Sequence, residues 1–288
     1  VTRFQKLAAT TVAGTFVLVI LGVIVRATDS GLGCPDWPFC HGQLLPALGD
    51  SKAWIEWLHR SVAAILGLII LAQAVVAVRD ERDRRWLVWG SIGAVLLVGF
   101  QAYLGRQTVL LGNSGDSVIA HLATSQALLG LLVFLLVRSF YPARVGGRGA
   151  SQRFTLLAAL GAAATYALLL FGARVTAADA ALIFPDWPLM GGTLFPPLTD
   201  LTATHVLHRW VAIVVGLIVA AIVVAALRWR RDQRAVVRLA VAAGVGYLAQ
   251  AVVGGLQVLT GLAGWTLTLH VALGASVWAL LCALTISA

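Results

Sequence analysis

Charge is what this chain has least of. Only 11% of its 288 residues are Asp, Glu, Lys or Arg, against 60% hydrophobic and a mean hydropathy of +0.91. That balance excludes an ordinary soluble globular domain and calls for a polytopic membrane protein. Acidic residues are the scarcer sign, 12 against 21 basic, for a net charge of +9 that would otherwise invite a nucleic-acid reading. Position decides against it. Arg3 and Lys6, then Arg79, Arg82, Arg84 and Arg85, then Arg138, Arg144, Arg148 and Arg153, then Arg228, Arg230, Arg231, Arg234 and Arg238 make fifteen of the 21, all on one side of the apolar runs. The positive-inside rule places both termini in the cytoplasm. The basic surplus reports topology in a lipid bilayer, and no nucleic-acid partner follows from it.

Runs long enough to cross ~30 Å of hydrocarbon, about 20 residues each, number eight: roughly 7–26, 53–78, 86–105, 118–138, 154–173, 202–227, 235–258 and 266–287. The first resembles a signal peptide in following basic residues, but it is long for one and has no small-residue cleavage site, so it reads as a retained span. No span is interrupted by proline as in transporters with broken helices.

Shifted by about 149 residues, the chain matches itself. Pro35-Asp36-Trp37-Pro38 returns as Pro185-Asp186-Trp187-Pro188, and "LHRSVAAILGLII" from Leu58 as "LHRWVAIVVGLIV" from Leu207. Gln101 matches Gln250, His121 matches His270, and Arg26 falls near Arg174. His59 and His121 are 62 residues apart, as are His208 and His270. Four spans per copy is even, so both copies enter the membrane in the same sense. The expected fold is all-α, eight transmembrane helices as two tandem four-helix bundles related by a pseudo-twofold along the membrane normal. Residues 1–143 form the first bundle, 144–153 a polar cytoplasmic linker and 154–288 the second. Gly67, Gly93, Gly130, Gly161, Gly244, Gly255 and Gly274 are expected to let helices approach closely.

The four histidines lie within roughly 10 Å of the outer ends of their spans at ~1.5 Å per residue. A polar ring inside a bilayer marks function by default. Two depth-matched imidazoles across a four-helix bundle suit the two axial positions of a heme iron. No C-x-x-C-H occurs, so such a heme would be held noncovalently. Zinc and copper fit less well, because no further carboxylate or thiolate recurs in both halves. Arg60 and Arg209 each follow a histidine and could pair with heme propionates, as could Arg26 and Arg174 unless they snorkel to headgroups. Gln101 and Gln250 either bond a histidine ring or cross-link helices, with cross-linking preferred.

The halves then diverge. Glu56 stands one helical turn before His59, where the second copy has His205. A carboxylate there could move protons or stabilise positive charge, or simply favour the helix dipole. Cys34 and Cys40 occur only in the first loop, "GLGCPDWPFCHG", and become Phe184 and Met190 in the copy. Facing an oxidising exterior, they either staple the loop by a disulfide or serve redox chemistry.

From about Thr15 onward, the repeat, the histidine pairs, "EWLHR" and "GCPDWPFCHG" together resemble the bacterial heme A synthase family. The resemblance implies a heme b ligated by His208 and His270, and a pocket framed by His59 and His121 where heme O becomes heme A with the help of Glu56. It implies that Cys34 and Cys40 pass reducing equivalents or support heme handling. It further implies a bacterial plasma membrane location, supply of heme O by a heme O synthase and an external electron donor or acceptor. Association of copies and the roles of His205 and His41 stay open. A diheme cytochrome b that carries electrons from quinol without altering heme is the alternative, though Glu56 and the one-sided cysteines have no place in it.

Overall fold

The eight apolar runs become eight helices in the computed structural model, which describes residues 1–141 and 152–288. They are α1 (Arg3–Ala27), α2 (Ser51–Asp80), α3 (Arg85–Leu110), α4 (Gly115–Phe140), α5 (Gln152–Ala177), α6 (Ala203–Trp229), α7 (Arg234–Leu259) and α8 (Gly264–Ser287). All eight are long and apolar enough to cross a membrane, and the described residues contain no strand longer than an isolated bridge. Most helices outrun their apolar run by a few residues, because the backbone keeps its hydrogen bonds into the polar flanks. Their starts are fixed locally. Thr2 forms a capping box with Gln5 at α1, and the Asp50 carboxylate accepts the Ala53 N–H at 3.0 Å to start α2. Of the expected linker, Gln152 and Arg153 open α5, and its earlier residues lie outside the described ones.

The described residues divide into two compact units, Val1–Phe140 and Tyr141–Ala288. In the first, α1 packs on α2 and α4, and α3 packs on α2 and α4, so α2 and α4 stand diagonally with no direct contact. The second repeats this order, with α6 and α8 on its diagonal. Each unit has a turn end, where four-residue connections follow α2 and α6, and a loop end. The loop end carries long loops, 28–50 or 178–202, beside the short α3–α4 or α7–α8 connection.

The packed core of each unit lies toward the turn end. In the first it gathers Phe4, Leu66, Ile70, Leu87, Leu132 and Leu135, and a buried hydrogen bond from Thr11 Oγ1 to Gln73 Oε1 (2.7 Å) ties α1 to α2. In the second, Phe154, Val219, Ile222, Val236, Leu281 and Leu284 play the same part. Arg230 lies 5.2 Å over the Phe154 ring at that end. The loop half is built differently. No residue of 20–27, 57–65, 95–110 or 115–125 is fully buried, nor any of 166–174, 207–214, 244–252 or 267–273. All four intramembrane histidines fall in these segments.

Candidate functional site

His59 is the ninth residue of α2 and His121 the seventh of α4, roughly 9–12 Å below their helix starts at ~1.5 Å per residue. They occupy the diagonal helices of the first unit. His208 on α6 and His270 on α8 repeat the arrangement in the second. In each of the four rings Nδ1 is buried and has no hydrogen-bond partner. Against each ring lies a glycine of the preceding helix: Gly22 against His59, Gly105 against His121, Gly172 against His208 and Gly254 against His270. None of these four belongs to the glycines expected to admit close helix packing. Of those, Gly67 has open space where a Cβ would stand, and Gly255 receives the Trp187 ring of the loop. The recurrence of Gly22 at Gly172 and of Gly105 at Gly254 is visible in the repeat, so the signal existed in the sequence.

Gln101, one turn before Gly105, donates from Nε2 to the His121 carbonyl at 2.9 Å and has the His121 ring Nε2 at 3.2 Å. It therefore cross-links α3 to α4 and also touches the ring, where the sequence offered these as alternatives. Gln250 Nε2 approaches α8 at Gly274, where a Cβ would lie 3.2 Å away.

The long loops fold over the loop end alike. The Asp36 carboxylate accepts the N–H groups of His41 (2.6 Å) and Gly42 (2.7 Å), and Asp186 those of Gly191 and Gly192 (both 2.8 Å). These donors, Gly42 and Gly192 foremost, hold both carboxyls below the ordinary range. Each loop carries a two-residue bridge, Cys40 to Gln43 and Met190 to Thr193. Gly33 lies so close to the start of α2 that a Cβ would stand 2.6 Å from the Lys52 backbone. Cys34 and Cys40 are bridged by a disulfide and buried, where the sequence offered a staple and redox chemistry as alternatives. In the second loop Phe184 and Met190 are buried against Val206 instead, so an apolar pair can do the packing of the disulfide.

Arg60 and Arg209 clamp these loops from below. Arg60 Nη1 donates to the carbonyls of Asp36 (2.8 Å) and Phe39 (3.1 Å), and Arg209 Nη1 to those of Asp186 (3.0 Å) and Leu189 (2.7 Å). The other edge of each guanidinium differs. Arg60 Nη2 bonds the Cys34 carbonyl (2.6 Å) and Glu56 Oε1 (2.5 Å), while Glu56 Oε2 accepts the Cys34 N–H at 2.8 Å. Glu56 is 3% exposed, so one buried ion pair joins the disulfide loop to the helix that bears His59. In the second unit His205 accepts from Arg209 Nε at 2.7 Å and holds the Ala180 carbonyl through Nδ1, also at 2.7 Å. Arg209 Nη2 is left buried with no partner. His205 is thus a neutral ring turned to the loop, and His208 is the one that meets Gly172. His41, whose role sequence left open, reaches back to the Gly33 carbonyl at 2.9 Å. Arg26 stands one residue before the end of α1 and Arg174 three before the end of α5, so they are not at matching positions.

Among the described residues no three His, Cys, Asp or Glu side chains converge as a metal-ion site. The four intramembrane histidines stand instead in pairs on diagonal helices, His59 with His121 and His208 with His270.

The family model COX15-CtaA, described as cytochrome oxidase assembly protein, matches residues 5–282. The heme A synthase of Alkalihalophilus pseudofirmus is 29% identical over 230 residues, covering 79% of this chain and 76% of that protein. That of Halalkalibacterium halodurans is 31% identical over 223 residues, covering 75% and 72%. A Thermus thermophilus protein named protoheme IX farnesyltransferase is 31% identical over 287 residues, 94% of this chain but only 46% of its own length. With the model matching almost end to end around the paired histidines and the loop above them, the chain belongs to the COX15-CtaA family of cytochrome oxidase assembly proteins.

Proposed function

We infer that this chain is a heme A synthase, a multi-pass membrane oxidoreductase that converts a ring methyl of heme O to the formyl group of heme A. The reaction proceeds by successive hydroxylation and loss of water. The observation that carries the reading is the pair of histidines, each with a buried Nδ1, on diagonal helices in each unit, in a chain of this family. Relatives of similar length bear the name heme A synthase.

His208 and His270 hold a heme b, whose chemistry when bound is one-electron transfer. The fit rests on the glycine backbone against each ring and on the buried, unpaired Nη2 of Arg209, which is suited to a propionate. The case for Arg60 on a propionate is weaker, since both its Nη groups are engaged. His59 and His121 frame the site of the substrate heme O, which must enter and leave, and whose long apolar tail favours a lipid-facing entry between helices. The Glu56 carboxyl group stands one turn from His59, fixed there by Arg60 and the Cys34 N–H. From that position it accepts protons released by the oxidation or stabilises positive charge on the reacting methyl. Cys34 and Cys40, present in this unit alone, pass reducing equivalents or support heme handling.

The loop ends face the outside and both termini the cytoplasm, by the distribution of basic residues. Heme O comes from a heme O synthase, which the name of the Thermus relative supports, since farnesyl transfer to protoheme IX is the step before. Electrons pass to or from a partner outside the chain. Co-expression with a heme O producer, followed by heme extraction, tests the reading: heme A is the expected product. Unchanged heme O beside intact spectral hemes would turn the assignment to an electron carrier.

A further inference from the structure

We propose that Gly22, Gly105, Gly172 and Gly254 are positioning residues for the four histidines, each setting the plane and depth of one imidazole by presenting bare helix backbone to its Cε1 edge. The inference rests on the reading of these histidines as ligands of heme iron.

A ligating histidine ordinarily has its ring fixed by a hydrogen bond from the other nitrogen to a carboxylate or carbonyl. Here all four Nδ1 atoms are buried without a partner, so that device is missing. Apart from Gln101 Nε2, which lies 3.2 Å from the His121 ring Nε2, packing must orient the rings instead. A Cβ built on Gly22 would stand 3.3 Å from His59 Cε1, on Gly105 3.1 Å from His121 Cε1, on Gly172 3.2 Å from His208 Cε1 and on Gly254 3.0 Å from His270 Cε1. In each case the three nearest heavy atoms are all imidazole atoms. Every one of the four glycines lies five residues before the last residue of its helix, so the contact is made at one depth throughout. Each hairpin, α1–α2, α3–α4, α5–α6 and α7–α8, thus supplies one histidine and the glycine that backs it.

Ordinary close packing of small residues does not account for this. Gly216 and Gly246 are as tightly placed, yet they face Tyr247 Cε1 at 3.0 Å and Val277 Cγ2 at 3.2 Å, away from the histidines. A methyl at a backing glycine would push the ring by a few tenths of an ångström toward the bundle centre. Metal–ligand distances tolerate about 0.2 Å, so the iron bond, and not the helix, takes the displacement.

The test uses full-length protein purified with its heme, compared as wild type, Gly172→Ala, Gly254→Ala and the equally crowded control Gly246→Ala. Heme per folded protein, the ferric low-spin signal by electron paramagnetic resonance and the midpoint potential are read together. The alanine variants at 172 and 254 are expected to trade low-spin for high-spin iron and to bind heme about 10- to 100-fold more weakly, with Gly246→Ala like wild type. Wild-type spectra and potential in both backing variants would overturn the proposal, as would an equal loss in the control. Should one alanine variant fail to accumulate, the other tests the same heme from its opposite face. Gly22→Ala and Gly105→Ala, read by retention of added heme O, do so for the first unit. His208→Ala and His270→Ala run in parallel: if these keep the low-spin signal, ligation itself is refuted. If they lose it while the glycine variants do not, only the positioning role falls.

Discussion

Glu56 and His205 occupy matched places and do opposite things with charge. Glu56 neutralises Arg60 and fixes the Cys34 amide, whereas His205 leaves the second guanidinium uncompensated. Glu56→Gln keeps the size and an acceptor but removes the charge. Heme A formation is expected to fall by about 10²-fold or more, the usual scale for a lost acid–base group, with the heme of the second unit retained by absorption spectroscopy. Full turnover in that variant would remove Glu56 from the chemistry. Glu56→Ala goes further and breaks a buried pair, a loss of about 3–5 kcal/mol where both partners are enclosed. It should speed reduction and alkylation of Cys34 and Cys40 by an added thiol. The loop carboxylates give a pH dependence of known sign. Asp36 and Asp186 have lowered folded values, so the stability they lend is complete above the ordinary carboxylate value of about 3.9 and is lost as pH falls through the lowered one. Amide exchange at Gly42 and Gly192 is expected to stay slow down to pH ~4 and to quicken below it. Asp36→Asn should abolish that step at Gly42.

At the level of elements, the helices were legible because a segment crossing lipid must be apolar along its length, and nothing else in the chain imitates that. Their ends were less so, since α3 runs to Leu110 and α5 to Ala177, past the apolar runs, on backbone hydrogen bonds that hydropathy does not register. The histidines could be named from spacing. The glycines behind them recur in the repeat, but that each meets a histidine ring was not legible, nor were the Arg60 and Arg209 clamps or the turn of His205 toward Ala180, because each is a contact between separate elements that spacing does not record. The loop itself makes a clear comparison. With Phe184 and Met190 in place of the cysteines, the second loop keeps the same carboxylate cap and the same bridge. Exchanging the first pair for the second, Cys34→Phe with Cys40→Met, should therefore leave the loop folded by circular dichroism and the second unit's heme intact. Heme A formation is expected to drop at least about tenfold, 1.4 kcal/mol in barrier. Undiminished synthesis would make the disulfide a staple and nothing more.

For the whole molecule the question is why one architecture occurs twice in a chain that performs one reaction. Each unit has its packed core toward the turn end, and the helix segments that bear its histidines, 57–65 and 115–125 or 207–214 and 267–273, hold no fully buried residue. On the proposed reading, the framework for gripping a flat ring from both sides is therefore common to both. The covers differ in charge and chemistry, the first with a carboxylate and a disulfide and the second with a neutral histidine and a spare guanidinium edge. A fixed cationic edge beside paired imidazoles favours a ligand with anionic groups that stays. A charge-balanced cover hinged on a cysteine pair suits one that is worked on and released. The two histidine pairs should then fail differently. His208→Ala or His270→Ala is expected to remove the resident heme spectrum and heme A formation together, because the electron-transfer partner is gone. His59→Ala or His121→Ala should leave the resident spectrum in place while heme A disappears and heme O accumulates in the extract. If either variant of the first unit instead bleaches the resident heme, or a variant of the second leaves synthesis intact, the division of labour between the units is wrong.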